Sequence, residues 1–85
     1  MDNVLIIGAG AAGSVVAQKC AMDRDTFKHI HLASRRLESC EKVAKLCQTP
    51  IEISQVDADN VAEVVALINK VKPDLLINMA LPYQD

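Results

Sequence analysis

A four-residue apolar run that leads into three closely spaced glycines restricts the fold of this chain more than any other feature. Val4-Leu5-Ile6-Ile7 is unbroken by polar residues, the pattern of a strand buried on both faces of a parallel sheet. It stops at Gly8-Ala9-Gly10-Ala11-Ala12-Gly13, which fits G-x-G-x-x-G in full, and Ser14-Val15-Val16-Ala17 continues with helical character. Each glycine has a separate task in such a strand-to-helix turn. Gly8 permits the tight exit from the strand. Gly10 lacks a Cβ, so backbone and ligand can approach closely. Gly13 lets the new helix pack tightly on the strand. The first amides of that helix have no partner within it, and the positive end of its dipole lies behind them. The combination predicts a site for the pyrophosphate of a dinucleotide, with Gly8, Gly10, Ala11, Ala12 and Gly13 around it.

The rest of the chain repeats the same alternation. The first helix is expected from about Gly10 to Met22, followed by a polar loop, Asp23-Arg24-Asp25-Thr26. His29-Ile30-His31-Leu32-Ala33 alternates and ends at Ser34, a second strand with both histidines on one side. Leu37, Cys40, Ala44 and Cys47 recur at helical spacing, so a second helix spans Leu37 to Leu46 and Thr49-Pro50 stops it. Ile51, Ile53 and Val56 make a third strand that ends at Asp57. Asn60-x-x-Glu63 has the form of a capping box and opens a third helix. Its expected buried stripe is Val61, Val64, Val65, Ile68 and Val71; Lys70 and Lys72 suit its negative end, and Pro73 ends it. Leu75-Leu76-Ile77-Asn78 is the fourth strand. Right-handed crossovers then give a Rossmann-type α/β fold, a doubly wound parallel sheet in the order 3-2-1-4.

The end of the second strand distinguishes the nucleotides. NAD and FAD sites usually place an acid there for the ribose hydroxyls. This chain has Ser34-Arg35-Arg36 instead. A hydroxyl and two guanidinium groups suit a 2′-phosphate, since the planar arginine fork donates paired hydrogen bonds to phosphate oxygens. The expected cofactor is therefore NADP(H) and not FAD. Asp57 and Ala58 follow the third strand, where the adenine is expected; Asp57 equally suits a cap on the third helix. Ala80, Leu81 and Pro82 follow the fourth strand and point to the ribose at the nicotinamide end.

Composition narrows the class further. The 85 residues make one domain at most, 51% hydrophobic and 24% charged, as in a soluble globular protein. A net charge of -2 gives no reason to expect a nucleic-acid or anionic-membrane partner. No apolar run is long enough for a membrane span, and the start lacks the basic region of a signal peptide; a cytoplasmic protein is expected. Cys20, Cys40 and Cys47 have no C-x-x-C spacing and read as reduced core thiols. His29 and His31 read as surface or packing residues, with no metal site. A dinucleotide fold of this kind normally has two further strands, and an oxidoreductase a substrate domain. These residues are thus expected to be the N-terminal, nucleotide-binding part of a longer enzyme, inactive alone and assembling as a homo-oligomer.

Three stretches together resemble the saccharopine dehydrogenase-like family: Val4 to Ala17, Leu32-Ala33-Ser34-Arg35, and Ile77-Asn78-Met79-Ala80-Leu81-Pro82-Tyr83-Gln84-Asp85. The last is the most specific, because many families share glycine fingerprints. The resemblance implies an NADPH-dependent oxidoreductase acting on C–N bonds, which reduces an imine formed from a semialdehyde and an amine in polyamine synthesis. It also implies the same cofactor contacts by position, with the catalytic residues elsewhere. Two other possibilities stay open: a saccharopine reductase-like enzyme of amino-acid metabolism, and a non-catalytic nucleotide-sensing module. Sensing modules usually keep the acid after the second strand, which this chain lacks.

Overall fold

The computed structural model describes residues 2–23 and 25–79. Strands β1 (Asn3–Ile7), β2 (His29–Ser34), β3 (Glu52–Gln55) and β4 (Leu75–Asn78) alternate with helices α1 (Ala11–Met22), α2 (Leu37–Leu46) and α3 (Val61–Val71). All three strand pairings are parallel, and the sheet order is β3-β2-β1-β4. This is the expected doubly wound arrangement. The crossover from β3 to β4 returns the chain past β1, so the loops after β1, β2 and β3 gather at one end of the sheet.

Burial explains why β1 is apolar throughout. Val4, Leu5 and Ile6 are fully buried. Val4 and Ile6 join Ala17, Cys20 and Ala21 of α1 and Cys40 and Val43 of α2 in one cluster. Leu5 and Ile7 face the other way and pack with Leu67 of α3, together with Ala33 and Val56. The central strand therefore has helices on both faces, which removes any solvent-facing polar position. Small residues on the packing side of α1 let that helix lie close to the sheet.

The structure revises several boundaries. Gly10 caps α1 and does not start it. β3 covers only Glu52–Gln55; Ile51 precedes it, and Val56 follows as a buried residue whose amide still reaches Ser34 O at 2.8 Å. In α3, the row facing the sheet is Val64, Leu67, Ile68 and Val71. Val61 and Val65 are 74% and 49% exposed, because their row lies on the flank and no described element packs over it. Leu67, absent from the expected stripe, is the most deeply buried residue of this helix. In α2, Val43 is buried and Leu37 is exposed, so Cys40, Val43, Ala44 and Cys47 form the inner row.

The capping box forms in a modified way. The Glu63 amide donates to Asn60 Oδ1 at 3.3 Å, while the Glu63 carboxylate accepts from Asn60 Nδ2 and from the Asp57 amide. Lys72 ends α3 in a left-handed conformation, with φ 51° and its amide on Ile68 O at 2.7 Å. His31 is a packing residue: its ring is buried between Glu52 Oε2 at 3.2 Å and Ser54 Oγ at 2.6 Å, whereas His29 is exposed. Burial raises the pKa of all three cysteine thiols, with Asp23 and Cys47 adding to the effect at Cys20. None of the three is in a disulfide.

One exposed carboxylate ties the start of the sheet together. Asp74 Oδ2 accepts from the amides of Asp2 and Asn3 at 3.0 Å each, and the Asp74 amide donates to Asn3 O. These two backbone bonds favour the ionised form and lower its pKa below the ordinary 3.8. A depressed carboxylate pKa contributes stability that is present above the unfolded value and is lost as pH falls through the folded one. Asp74→Asn should therefore melt below the parent at neutral pH, and the gap should close as pH is taken from about 4 to about 2, read by circular dichroism.

Candidate nucleotide-binding cleft

Three loops that follow β1, β2 and β3 meet at the C-terminal ends of the strands, where they enclose a cleft of about 320 Å³. Its lining brings together Ile7–Gly10, Ser34–Arg36, Ser39, Val56–Asp59 and Met79. The ends of the ladder hold this floor in register. Gly8 N donates to Ala33 O at 2.8 Å, Val56 N to Ser34 O at 2.8 Å, and Met79 N to Ile7 O at 2.7 Å.

The three glycines occupy distinct environments. Gly8 has φ 110°, a region that residues with a side chain rarely adopt. A Cβ on Gly13 would run into the carbonyl oxygen of Gly8 and lie 2.8 Å from its carbonyl carbon. A Cβ on Gly10 would meet nothing within 4 Å. Gly10 is exposed and has ordinary extended backbone, with φ -73°. The first helix turn beyond it carries no acidic residue to compete for an anion. Ala11 and Ala12 are the exposed first residues of α1, and Gly13 is buried beneath them. A backbone cradle of unpaired amides with open space in front of it fits a pyrophosphate.

The Ser34-Arg35-Arg36 turn forms the adjoining wall. Ser34 is buried, and its hydroxyl donates to Arg36 O at 2.7 Å. Its oxygen also lies 3.2 Å from the Cys40 thiol. The Gln55 side-chain amide donates to Arg35 O at 3.0 Å. The turn is thus held through its backbone, and both arginine side chains remain exposed. Arg35 Nη2 stands 3.9 Å from Asp57 Oδ1 and from Asp59 Oδ2.

Asp57 stands in the turn between β3 and α3, whose cap is Asn60. It lines the cleft, and its carboxylate accepts from the Asp59 amide at 3.0 Å, closing the turn into α3. Ala58 lies beside it, packed against the α3-side cluster. The structure thus groups Gly8, Gly10, Ser34, Arg35, Arg36, Asp57 and Ala58 around one space. Ala80, Leu81 and Pro82 lie outside the described residues. Among the lining residues that sequence reasoning missed are Ser39, Asp59 and Met79. Each stands within three residues of a predicted position, in the first turn of α2, the turn after β3 and the exit of β4.

A parallel sheet in the order 3-2-1-4, a G-x-G-x-x-G turn after its central strand and a cleft at the strand ends define a Rossmann-type dinucleotide-binding domain. The chain belongs to the saccharopine dehydrogenase NADP-binding domain family, whose sequence profile matches residues 4–85. NADP(H) is the cofactor of this family. A carboxyaminopropylagmatine dehydrogenase from Synechocystis is 46% identical over 100% of this chain and 21% of its own length. A carboxynorspermidine synthase from Vibrio cholerae is 41% identical over 95% of the chain and 22% of its own length. The chain therefore spans about a fifth of the length of these curated relatives. Among solved structures, an uncharacterised protein from Mycobacterium paratuberculosis superposes with a TM-score of 0.73 at 24% identity, over 99% of this chain and 32% of its own. That likeness concerns the fold alone.

The different surroundings of Gly10 and Gly13 predict opposite consequences for one added methyl group. Gly13→Ala should lower unfolding free energy by about 2 kcal/mol or more, since backbone must move to admit the Cβ. Gly10→Ala should stay within about 0.5 kcal/mol of the parent. Urea denaturation of the two variants measures both.

Proposed function

We propose that this chain is the NADPH-binding part of an oxidoreductase that joins a semialdehyde to an amine and reduces the resulting imine. The observation that carries the reading is the meeting of the glycine turn with Ser34-Arg35-Arg36 around one cleft. Beside it, at the start of α1, the amides of Ala11, Ala12 and Gly13 hold the pyrophosphate, and Gly8 and Gly10 allow its approach. Arg35 and Arg36 bind the 2′-phosphate, and Ser34 shapes the turn that presents them. Asp57 and Ala58 border the adenine. Ala80, Leu81 and Pro82 are assigned the nicotinamide ribose by their place in the sequence after β4.

The names of the relatives suggest the substrates. A carboxynorspermidine synthase and a carboxyaminopropylagmatine dehydrogenase share a product unit, a carboxyaminopropyl group attached to an amine nitrogen. Aspartate β-semialdehyde supplies that unit by condensing with the amine and losing water. The cofactor supplies the hydride that converts the C=N bond to C–N, and a proton goes to nitrogen. The amine is a short diamine or agmatine, and polyamine synthesis is the setting. Three unbridged thiols and the absence of a membrane-spanning helix among the described residues support a place in the cytoplasm.

A charge-assisted hydrogen bond is worth about 1.5–3 kcal/mol, so losing the Arg35 guanidinium should cost the 2′-phosphate about tenfold or more in affinity. Calorimetric titration of Arg35→Ala should show weaker NADPH binding, unchanged NADH binding and loss of the preference between them. Equal binding of both nucleotides by the parent chain would remove the role given to Arg35. The full-length protein, given NADPH and aspartate β-semialdehyde, should consume NADPH only when a diamine or agmatine is added. Consumption without dependence on the amine would refute the imine chemistry.

A further inference from the structure

The mouth of the cleft sets two carboxylates against its two guanidinium groups. Of the charged side chains that line it, Arg35 and Arg36 are positive and Asp57 and Asp59 negative. Formal charge there sums to zero, an unexpected balance for a place that takes a phosphate of nearly two negative charges. Arg35 stands between the two acids, 3.9 Å from each.

The acids differ in what else they do. Asp57 Oδ1 also closes the turn into α3 by accepting from the Asp59 amide. Asp59 contributes to that turn through its backbone, while its carboxylate, 64% exposed, reaches across to Arg35. The Asp59 charge can therefore be changed without loss of the turn that leads into α3.

We propose that Asp59 is a specificity-determining residue that holds down the preference of this cleft for a 2′-phosphorylated ribose. It does so in two ways. Its carboxylate occupies Arg35, which must exchange partners to meet the phosphate, and its charge repels the phosphate through the intervening solvent. Orientation of Arg35 by the same contact is a small opposing effect, since an exposed pair near 4 Å fixes a long side chain only weakly. The inference rests on the reading of Arg35 as a 2′-phosphate ligand.

The probes are 2′-phospho-AMP and AMP, which differ only in the group concerned, titrated into the parent chain and into Asp59→Asn, Asp59→Glu and Arg35→Ala. Amide chemical shifts report binding even when it is weak. Asp59→Asn should tighten 2′-phospho-AMP by about three- to tenfold and leave AMP within about twofold. Asp59→Glu should keep the parent ratio. The gain should shrink in 1 M salt, where the screening length is about 3 Å. Unchanged or weaker binding of 2′-phospho-AMP by Asp59→Asn, while Arg35→Ala still abolishes discrimination, would overturn the role of Asp59 alone. Discrimination that survives Arg35→Ala would overturn the reading of Arg35 and the proposal with it.

Discussion

The close contact between α1 and the end of β1 is the constraint on which the cleft depends. Gly13 sits so near the Gly8 carbonyl that no side chain fits between them. That approach brings the unpaired amides of the helix to the strand ends, where the positive end of the dipole faces outward. Gly8 makes the contact possible by leaving the strand at a positive φ. The remaining packing on that face follows from it. Ala17, Cys20 and Ala21 continue the small-residue side of α1 across Val4 and Ile6, and bulkier residues there would lift the helix off the sheet.

Topology turns this local contact into a site. With β1 in the middle, β2 and β3 extend the sheet in one direction, and α3 carries the chain back to β4 on the other side. Loops distant in sequence thus become neighbours. Asp57 and Asp59 come within reach of Arg35, and Met79 closes the far side. Such convergence at a switch in strand order is the general reason that open parallel sheets bind ligands at the carboxyl ends of their strands.

Strand order, element count and most of the cleft were legible in the sequence, because each depends on a short-range signal. The buried strand is four apolar residues in a row, the turn is three glycines, and the start of α3 is Asn60 with Glu63. What was not legible depended on the third dimension. Val61 and Val65 satisfy a helical period as well as Val64 and Ile68 do, and only the position of the sheet decides which row is buried. Asp59 shows no pattern of its own; it matters because β2 and β3 are adjacent and in register from His31–Glu52 to Ser34–Gln55. The sequence left His31 as either a surface or a packing residue, and only Glu52 and Ser54 on the next strand, which give its ring two partners, decide for packing.

In the arginine turn, the atoms that hold the fold and the atoms that face the cleft are different atoms of the same residues. Its backbone is fixed by the Ser34 hydroxyl on Arg36 O, by Gln55 on Arg35 O and by the Val56 amide on Ser34 O. These bonds involve neutral groups, and Ser34 and Val56 are themselves buried. The charged groups at the mouth stand largely in solvent: the side chains of Arg35 and Asp59 are more than half exposed, Arg36 is exposed and Asp57 is 42% exposed. Exposed ion pairs add little to stability, about 1 kcal/mol at most. Charge at the mouth is therefore adjustable at almost no cost to the fold, whereas Gly13 and the apolar run of β1 are not.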